Sequence, residues 1–260
     1  MIFGRKKQQA GPTEPDPADI SDELDDEELE DDVDDDETED DETEDDEVED
    51  EDLEENDLDE DFDGEADEWI AYDESQDWRD EGPFDIDEVD LEADDVPRLD
   101  LGALIVTPED EMQIQIIADA ATGDGLALVL SLDGAAMQVE VKAAPQSGGF
   151  AAEIRDDLIE ETLAAGGSAE RAKGPYGTEL RRVVPVDSPD GESGFAPMRD
   201  WLVEGPRWLV VARMMGEAAI DVKGDGASKL FDEAFRNLIV RRGEDPMAPG
   251  QTVPLKVPEG

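Results

Sequence analysis

The hydrophobic pattern of this chain is strongest between Phe195 and Met215, where Gly205-Pro206 divides two runs rich in residues that favour strands. The second run, Trp208 to Ala212, is apolar at every position, as expected for a strand covered on both faces. The pattern therefore predicts a hairpin at the centre of a sheet, around which residues from about 97 onward assemble.

Further strands are predicted on both sides of a helix. Met112 to Ile116 alternates strictly between apolar and polar positions, which is typical of a half-buried strand. Leu126 to Leu132 is nearly continuously apolar, and Asp133-Gly134 is a favoured two-residue hairpin turn before the next strand. Additional strands are predicted at 99–106, 136–141 and 178–184.

Two stretches carry helical periodicity instead. The first, from 150 to 165, places five apolar residues on one face, Phe150, Ile154, Leu158, Ile159 and Leu163. The second begins at a cap formed by Asp225 or Ser228 and has the buried stripe Leu230, Phe231, Ala234, Phe235 and Leu238. Strands and helices in this order predict an α+β domain, an antiparallel sheet of about six or seven strands with two packed helices, and not a parallel nucleotide-binding sheet.

Charge divides the chain into regions. Residues 21–63, the acidic run, hold 32 Asp or Glu in 43 positions and no Lys or Arg. Like-charge repulsion and few apolar residues predict that this run is disordered. We predict a disordered acidic tail over 1–81, an extended strap over 82–96, the α+β domain over 97–245 and an extended Pro-rich C-terminal tail over 246–260.

Two functions suit the acidic run. It is either a solubilising brush or an electrostatic arm that competes with nucleic acid for basic proteins. Large aromatic residues follow it, and such residues are unusual in a purely solvating tail. Trp69, Tyr72 and Trp78 are predicted either to dock into a groove of another protein or to fold back onto this protein's own domain.

Composition limits the chemistry. The chain contains no Cys and no His, which excludes disulfides, thiolate nucleophiles, histidine general bases and histidine metal ligands. We therefore predict no catalytic residue, no cofactor and no metal site. No apolar run suits a signal peptide or a membrane helix, so a cytoplasmic location without membrane contact is expected.

The candidate binding residues are basic and aromatic side chains on predicted strands. Five arginines there could hold an anionic ligand or the acidic tail, although ordinary ion pairs would also explain them. Arg181 and Arg182 are expected to face opposite sides of the sheet, and Arg207 and Arg213 to share one side. Trp201 and Trp208 are expected in the core or stacked on a ligand. The candidate set is Arg181, Arg182, Arg199, Arg207, Arg213, Trp201 and Trp208.

Several strings occur in a specific order: GPFDIDEVDLEADDVPRLDLGALIV, EIRDDLIEETLAAGG, GPYGTELRRVVPV, GPRWLVVARMMG and RRGEDPMAP. Over roughly residues 82–250 this order resembles the actinobacterial domain-of-unknown-function family 3710. The resemblance implies a cytoplasmic protein with a variable acidic N-terminus, often encoded near a dUTPase and an OB-fold protein. It implies no activity, so it assigns no catalytic residue.

Two functional hypotheses follow. The first is a non-catalytic interaction or regulatory protein with an unknown, basic protein partner and no direct nucleic-acid binding. The alternative is a binding protein for a small anionic ligand, linked to nucleotide metabolism, that uses the strand arginines.

Overall fold

The structure is a computed structural model that describes residues 68–109, 112–187 and 193–256. The predicted disordered tail up to residue 67 lies outside the described residues. In chain order the elements are α1 (residues 68–73), β1 (Phe84–Asp85), a 3₁₀ turn (Ile86–Glu88), β2 (Leu99–Asp100), β3 (Leu104–Val106), β4 (Gln113–Ala118), β5 (Gly125–Leu132), β6 (Ala135–Ala143), α2 (Phe150–Ala164), β7 (Ser168–Gly174), β8 (Gly177–Asp187), β9 (Ser193–Gly205), β10 (Trp208–Met215), α3 (Glu217–Ile220), α4 (Gly226–Arg236) and β11 (Ile239–Val240).

Seven of these strands form an antiparallel sheet in the order β4-β5-β6-β10-β9-β8-β7. The hairpin of β9 and β10 runs from the pair Gly205–Trp208 to the pair Met198–Met215. Strand β10 has three strands on either side, so the hairpin occupies the middle of the sheet as predicted. The predicted α+β class with an antiparallel sheet of six or seven strands is confirmed.

Both faces of β10 are buried, which accounts for its unbroken apolar sequence. Trp208, Val210, Ala212 and Met214 belong to the larger core, which α4 closes with Phe231 and Phe235 among others. Leu209 and Val211 belong to a smaller core on the opposite face, beneath α2. The predicted stripe of α4 is confirmed, because its apolar residues are buried in or packed against the larger core.

The predicted stripe of α2 is wrong in part. Leu163 is 55% exposed, whereas Arg155 and Thr162 are each 2% exposed. These two polar residues lie at helical spacing from Phe150 and Leu158, on the side that faces the sheet. Burial of polar side chains requires partners, and both have them, as described below.

A second sheet, in the order β1-β11-β3-β2, shares the larger core. Strand β1 comes from the predicted strap and pairs with β11 in parallel. Residues 251–256 of the predicted C-terminal tail pack on the domain. Leu255 exchanges backbone hydrogen bonds with Gly125, and the Val253 N–H donates to the Val141 carbonyl at 2.8 Å.

Strand β7 is an element that the apolar pattern did not predict. Its sequence, SAERAKG, has no alternation of apolar and polar residues, and the segment lies at the edge of the sheet. Backbone pairing with β8 over the whole of 168–174 defines it as a strand. A charged edge strand of this kind also opposes pairing with another chain.

Candidate functional site

Two of the predicted arginines share one buried carboxylate on the α2 face of the sheet. Arg182 Nε donates to Asp200 Oδ2 at 2.7 Å, and Arg213 Nε donates to Asp200 Oδ1 at 2.8 Å. The hydroxyl of Thr162 on α2 accepts a further hydrogen bond from Arg182 Nη1 at 3.2 Å. Because Asp200 is fully buried, it needs both donors, and these two arginines are committed to the fold.

Arg181 faces the other side of the sheet, as the alternation of strand side chains predicts. Its Nε donates to Glu179 Oε1 at 2.9 Å, and the indole Nε1 of Trp201 donates to Glu179 Oε2 at 3.1 Å. Trp201 also packs against Tyr176 and Phe235, with ring centroids 5.0 and 5.4 Å away. The buried carboxylate of Glu179 thus orients one arginine and one core tryptophan.

Arg207 does not lie on a strand. It occupies the two-residue turn between β9 and β10 with φ 63°, and its Nη2 donates to the Gly243 carbonyl at 3.0 Å. The predicted shared face of Arg207 and Arg213 is therefore wrong. The physical reason is the turn itself, which interrupts the strand alternation on which that prediction depended.

Arg199 is buried but has no carboxylate partner in the described ranges. Nη1 donates to the Asp221 carbonyl at 3.0 Å, Nη2 lies 3.2 Å from the sulfur of Met214, and Nε has no hydrogen-bond partner. Burial lowers the pKa of its guanidinium below the ordinary value. Arg199 lines a cleft of about 250 Å³ together with Trp201 and Lys223. The other six lining residues are Pro175, Val222, Gly224, Ser228, Lys229 and Asp232.

Residues 68–81, which we call the docked segment, pack on the domain through one carboxylate. Asp73 Oδ1 accepts a hydrogen bond from the Thr178 N–H at 2.7 Å, and Oδ2 lies 3.1 Å from Nη2 of Arg155. Burial lowers the pKa of Arg155, and Asp73 supplies the counter-charge that opposes this shift. The predicted end of the tail at residue 81 therefore differs from the structure, in which the domain's contacts begin earlier in the chain.

The three aromatic residues of the predicted docking set lie within the docked segment. Tyr72 is the middle one, with ring centroids 6.1 Å from Trp69 and 4.9 Å from Trp78. Lys173 of β7 places its Nζ 5.0 Å from the centre of the Tyr72 ring. Of the two alternatives left open by the sequence, the structure displays the contact with this protein's own domain.

Trp208 is fully buried beneath the docked segment and the strap. Its indole Nε1 donates to Asp85 Oδ2 at 2.7 Å, and the Arg79 guanidinium carbon lies 5.6 Å from the ring centroid. Arg79 is held by two hydrogen bonds to Glu88, at 2.5 and 2.6 Å. Trp208 is therefore a core residue that ties the central strand to residues 79–88.

A sequence profile of the family described as "Protein of unknown function (DUF3710)" matches residues 82–260. The chain belongs to this family. The match covers every strand of both sheets and begins immediately after the docked segment. In this member of the family, Asp73 and the three aromatic residues of the docked segment thus precede the matched region.

Among solved structures, the chain is similar to cyanobacterial PsbP (CyanoP) from Synechocystis sp. PCC 6803, determined in solution. The two share 12% sequence identity with a TM-score of 0.32, over 56% of this chain and 92% of that chain. The comparison with curated proteins gives no match.

Two further properties concern the part of the chain that the structure describes. None of its helices combines the length and apolar character needed to span a bilayer. No group of three or more Asp, Glu, His or Cys side chains in this part is arranged to hold a metal ion.

Sequence reasoning missed several residues of these sites, among them the buried acids Asp200 and Glu179 and also Asp73, Arg155, Lys223 and Lys229. Arg155 interrupts the apolar face of α2 and thereby signals a buried partner, although nothing in the sequence identifies Asp73 as that partner. The two lysines flank the start of α4 in a strongly acidic chain.

Proposed function

We propose that this protein is a non-catalytic interaction protein of the actinobacterial cytoplasm, in which the acidic run 21–63 acts as an electrostatic arm for a basic protein partner. The family domain anchors the arm. The observation that carries this proposal is the pairing of Asp73 with buried Arg155 and the Thr178 N–H, only ten residues after the acidic run ends.

The contacts of Asp73 with Arg155 and Thr178, which we call the anchor, support an arm because they fix the chain to the domain at a defined point. An anchored polyanion keeps its charge at a high local concentration near the domain, whereas a cleaved polyanion would diffuse away. The contact of Arg236 with Glu81, at 2.7 Å, adds a second attachment close to Asp73. A segment that served solely as a spacer would need neither contact.

Charge supports a basic partner. The run carries 32 acidic side chains, and the whole chain has a formal net charge of −58. The negative electrostatic potential around such a run attracts cationic surfaces and accelerates their association, and both effects weaken strongly as salt is added. The Debye length is about 10 Å at 0.1 M salt, so the partner's basic surface must approach the run closely.

The chemistry of the domain supports a role without catalysis. The chain has neither His nor Cys, and three of the five strand-region arginines are paired with carboxylates. The other two, Arg199 and Arg207, donate to backbone carbonyls. Glu179 and Asp200, two buried acids, each accept hydrogen bonds from two side chains within the fold. The hydrogen bonds and ion pairs of these arginines and acids hold the domain together, which supports a structural role for them.

The arm is tested in the full-length chain by cross-linking with a lysine-specific bifunctional reagent, which joins Lys6 or Lys7 of this chain to a partner's lysine and does not consume the carboxylates that are varied. Three proteins are compared in cell extract at increasing salt: the natural chain, a chain with every acid in 21–63 replaced by its amide, and a chain with the order of 21–63 permuted. We expect the natural and permuted chains to link to the same basic partner, with loss of the links as salt rises. The amide chain should lose them at all salt concentrations.

Two results would contradict the proposal. Identical partners for the natural and amide chains would show that the run is a solubilising brush. Loss of the partner in the permuted chain would show that an ordered motif, and not charge, is recognised.

A further inference from the structure

The cleft lined by Arg199 is unusual in its charge. The chain holds 78 acidic and 20 basic residues, yet three cationic side chains and only one carboxylate line this cleft. That carboxylate, Asp232, accepts a hydrogen bond from the Tyr176 hydroxyl at 2.6 Å and lies 2.9 Å from Nη2 of Arg236. The charge of Asp232 is therefore compensated from outside the lining. Lys229 also has a partner outside it, since its Nζ lies 3.7 Å from Glu233 Oε1, so Arg199 and Lys223 provide the positive excess of the cleft.

Arg199 is the buried cation of the lining, with 4% of its surface exposed. Its Nε–H has no hydrogen-bond partner within the part of the chain that the structure describes, and an unsatisfied donor on a buried cation costs free energy. Its two satisfied donors bind a carbonyl and a thioether, neither of which neutralises the guanidinium. An anion in the cleft would supply the missing counter-charge.

The first turn of α4 forms another wall of the cleft, through Gly224 on one side and Ser228 and Lys229 on the other. Asp225 occupies the N-cap position, but its side chain makes no capping hydrogen bond. Side chains added at Gly224 or Gly226 would meet open space, so a ligand can approach the backbone here. The N-terminus of an eleven-residue helix favours an anion through its free N–H groups and its dipole.

We propose that this cleft binds the phosphate group of a small phosphorylated molecule. Arg199, Lys223 and Lys229 supply the positive charge, and the first turn of α4 supplies N–H donors. The volume of about 250 Å³ lies below the usual 300–1,000 Å³ of clefts for drug-sized ligands, which favours a compact ligand. None of the lining residues belongs to the docked segment or the strap, so this site is independent of the proposed arm.

The test is isothermal titration calorimetry of the full-length chain at constant ionic strength, with inorganic phosphate, a nucleoside monophosphate and the matching nucleoside as probes. We expect binding of the two phosphate probes and none of the nucleoside. Tighter binding of the monophosphate identifies a phosphate monoester as the ligand, and equal binding identifies free phosphate. Binding of the nucleoside as tightly as its monophosphate, or no binding of either phosphate probe, would overturn the proposal.

Lys223→Gln and Lys229→Gln are the variants, because both lysines are exposed and their loss leaves the core intact. Each should weaken phosphate binding about two- to fivefold, the effect of one exposed charge. Lys256→Gln is the matched control, since it removes the same charge from another exposed lysine, in the C-terminal segment, that does not line the cleft. An equal loss in this control would show that net charge alone, and not the cleft, attracts the anion.

Discussion

Asp85 and Trp208 are 123 positions apart and are joined by a buried hydrogen bond of 2.7 Å from the indole Nε1 to the carboxylate. The same carboxylate accepts a hydrogen bond from the Asp87 N–H, which caps the 3₁₀ turn of the strap. One side chain thus both shapes the strap locally and fastens it to the central strand.

Asp85→Ala should therefore lower the free energy of unfolding. The substitution leaves the buried indole N–H without an acceptor, which costs about 1–3 kcal/mol, and it removes a cap as well. Urea denaturation measures the loss. The control, Asp87→Ala, changes an exposed acid in the same turn and should stay within about 0.5 kcal/mol of the natural protein. Equal losses in the two variants would show that the hydrogen bond to Trp208 contributes nothing measurable.

Gly205 and Gly194 offer a second comparison, within a single strand. A methyl group on Gly205 would overlap the indole ring of Trp208, whereas one on Gly194 meets open space. Gly205→Ala should lower stability by about 1–3 kcal/mol, because the central hairpin must shift to admit it. Gly194→Ala should change stability by no more than about 0.5 kcal/mol. Thermal unfolding of both variants measures the difference, and a stable Gly205→Ala protein would contradict the close packing described here.

Asp73→Ala should release the docked segment. Without this carboxylate, the Thr178 N–H and the Arg155 guanidinium both lose their partner, and the segment has little other burial to hold it. Hydrogen exchange should show faster exchange of the Thr178 amide and of the amides of 68–81, while β10 stays protected. Asp80→Ala, an exposed acid of the same segment, is the control. Unchanged exchange at Thr178 in Asp73→Ala would contradict the anchor.

Glu88 makes the stability of the protein depend on pH through its contacts in the strap. Hydrogen bonds from the Arg79 side chain hold the pKa of Glu88 below its ordinary value, against the opposing effect of partial burial. A carboxyl whose pKa is lowered in the folded state stabilises the fold at pH values above its ordinary pKa, near 4.5. This stabilisation is lost as the pH falls through the lowered pKa. The natural protein should therefore exceed Glu88→Gln in stability at pH 7, and the two should converge in acid.

Urea denaturation of both proteins from pH 7 down to pH 3 checks this expectation. The buried acids are the same in both proteins, so their contributions cancel in the difference between the two free energies of unfolding. Glu92→Gln, an exposed glutamate without an ion pair in the described ranges, controls for the loss of one charge. A difference between the natural protein and Glu88→Gln that stays constant with pH would contradict the assignment.

Much of the fold could be predicted because buried positions are apolar and recur at regular spacing in the sequence. The apolar run from Trp208 to Ala212 indicated a strand covered on both faces, and the stripe around Phe231 and Phe235 indicated the helix that covers one of them. Strand β7 left no such trace, since backbone hydrogen bonds form it at an edge whatever its side chains are.

The candidate binding residues were predictable as residue types but not as a site. Arg182, Arg199 and Arg213 lie on neighbouring strands, yet two of them share Asp200 on one face and the third lines a cleft on the other. Which arginine finds a carboxylate depends on the register of β8, β9 and β10, and a shift of one residue would exchange the faces.

The sequence by itself determined the α+β class, the central hairpin and the concentration of negative charge before the domain, because hydrophobic periodicity and net charge are local properties of the chain. Only the tertiary structure decided that Asp73 meets Arg155, that Asp85 meets Trp208 and that Arg199 has no carboxylate partner among the described residues. These pairings join residues far apart in the chain, and their partners are selected by strand register and by the burial of each charge.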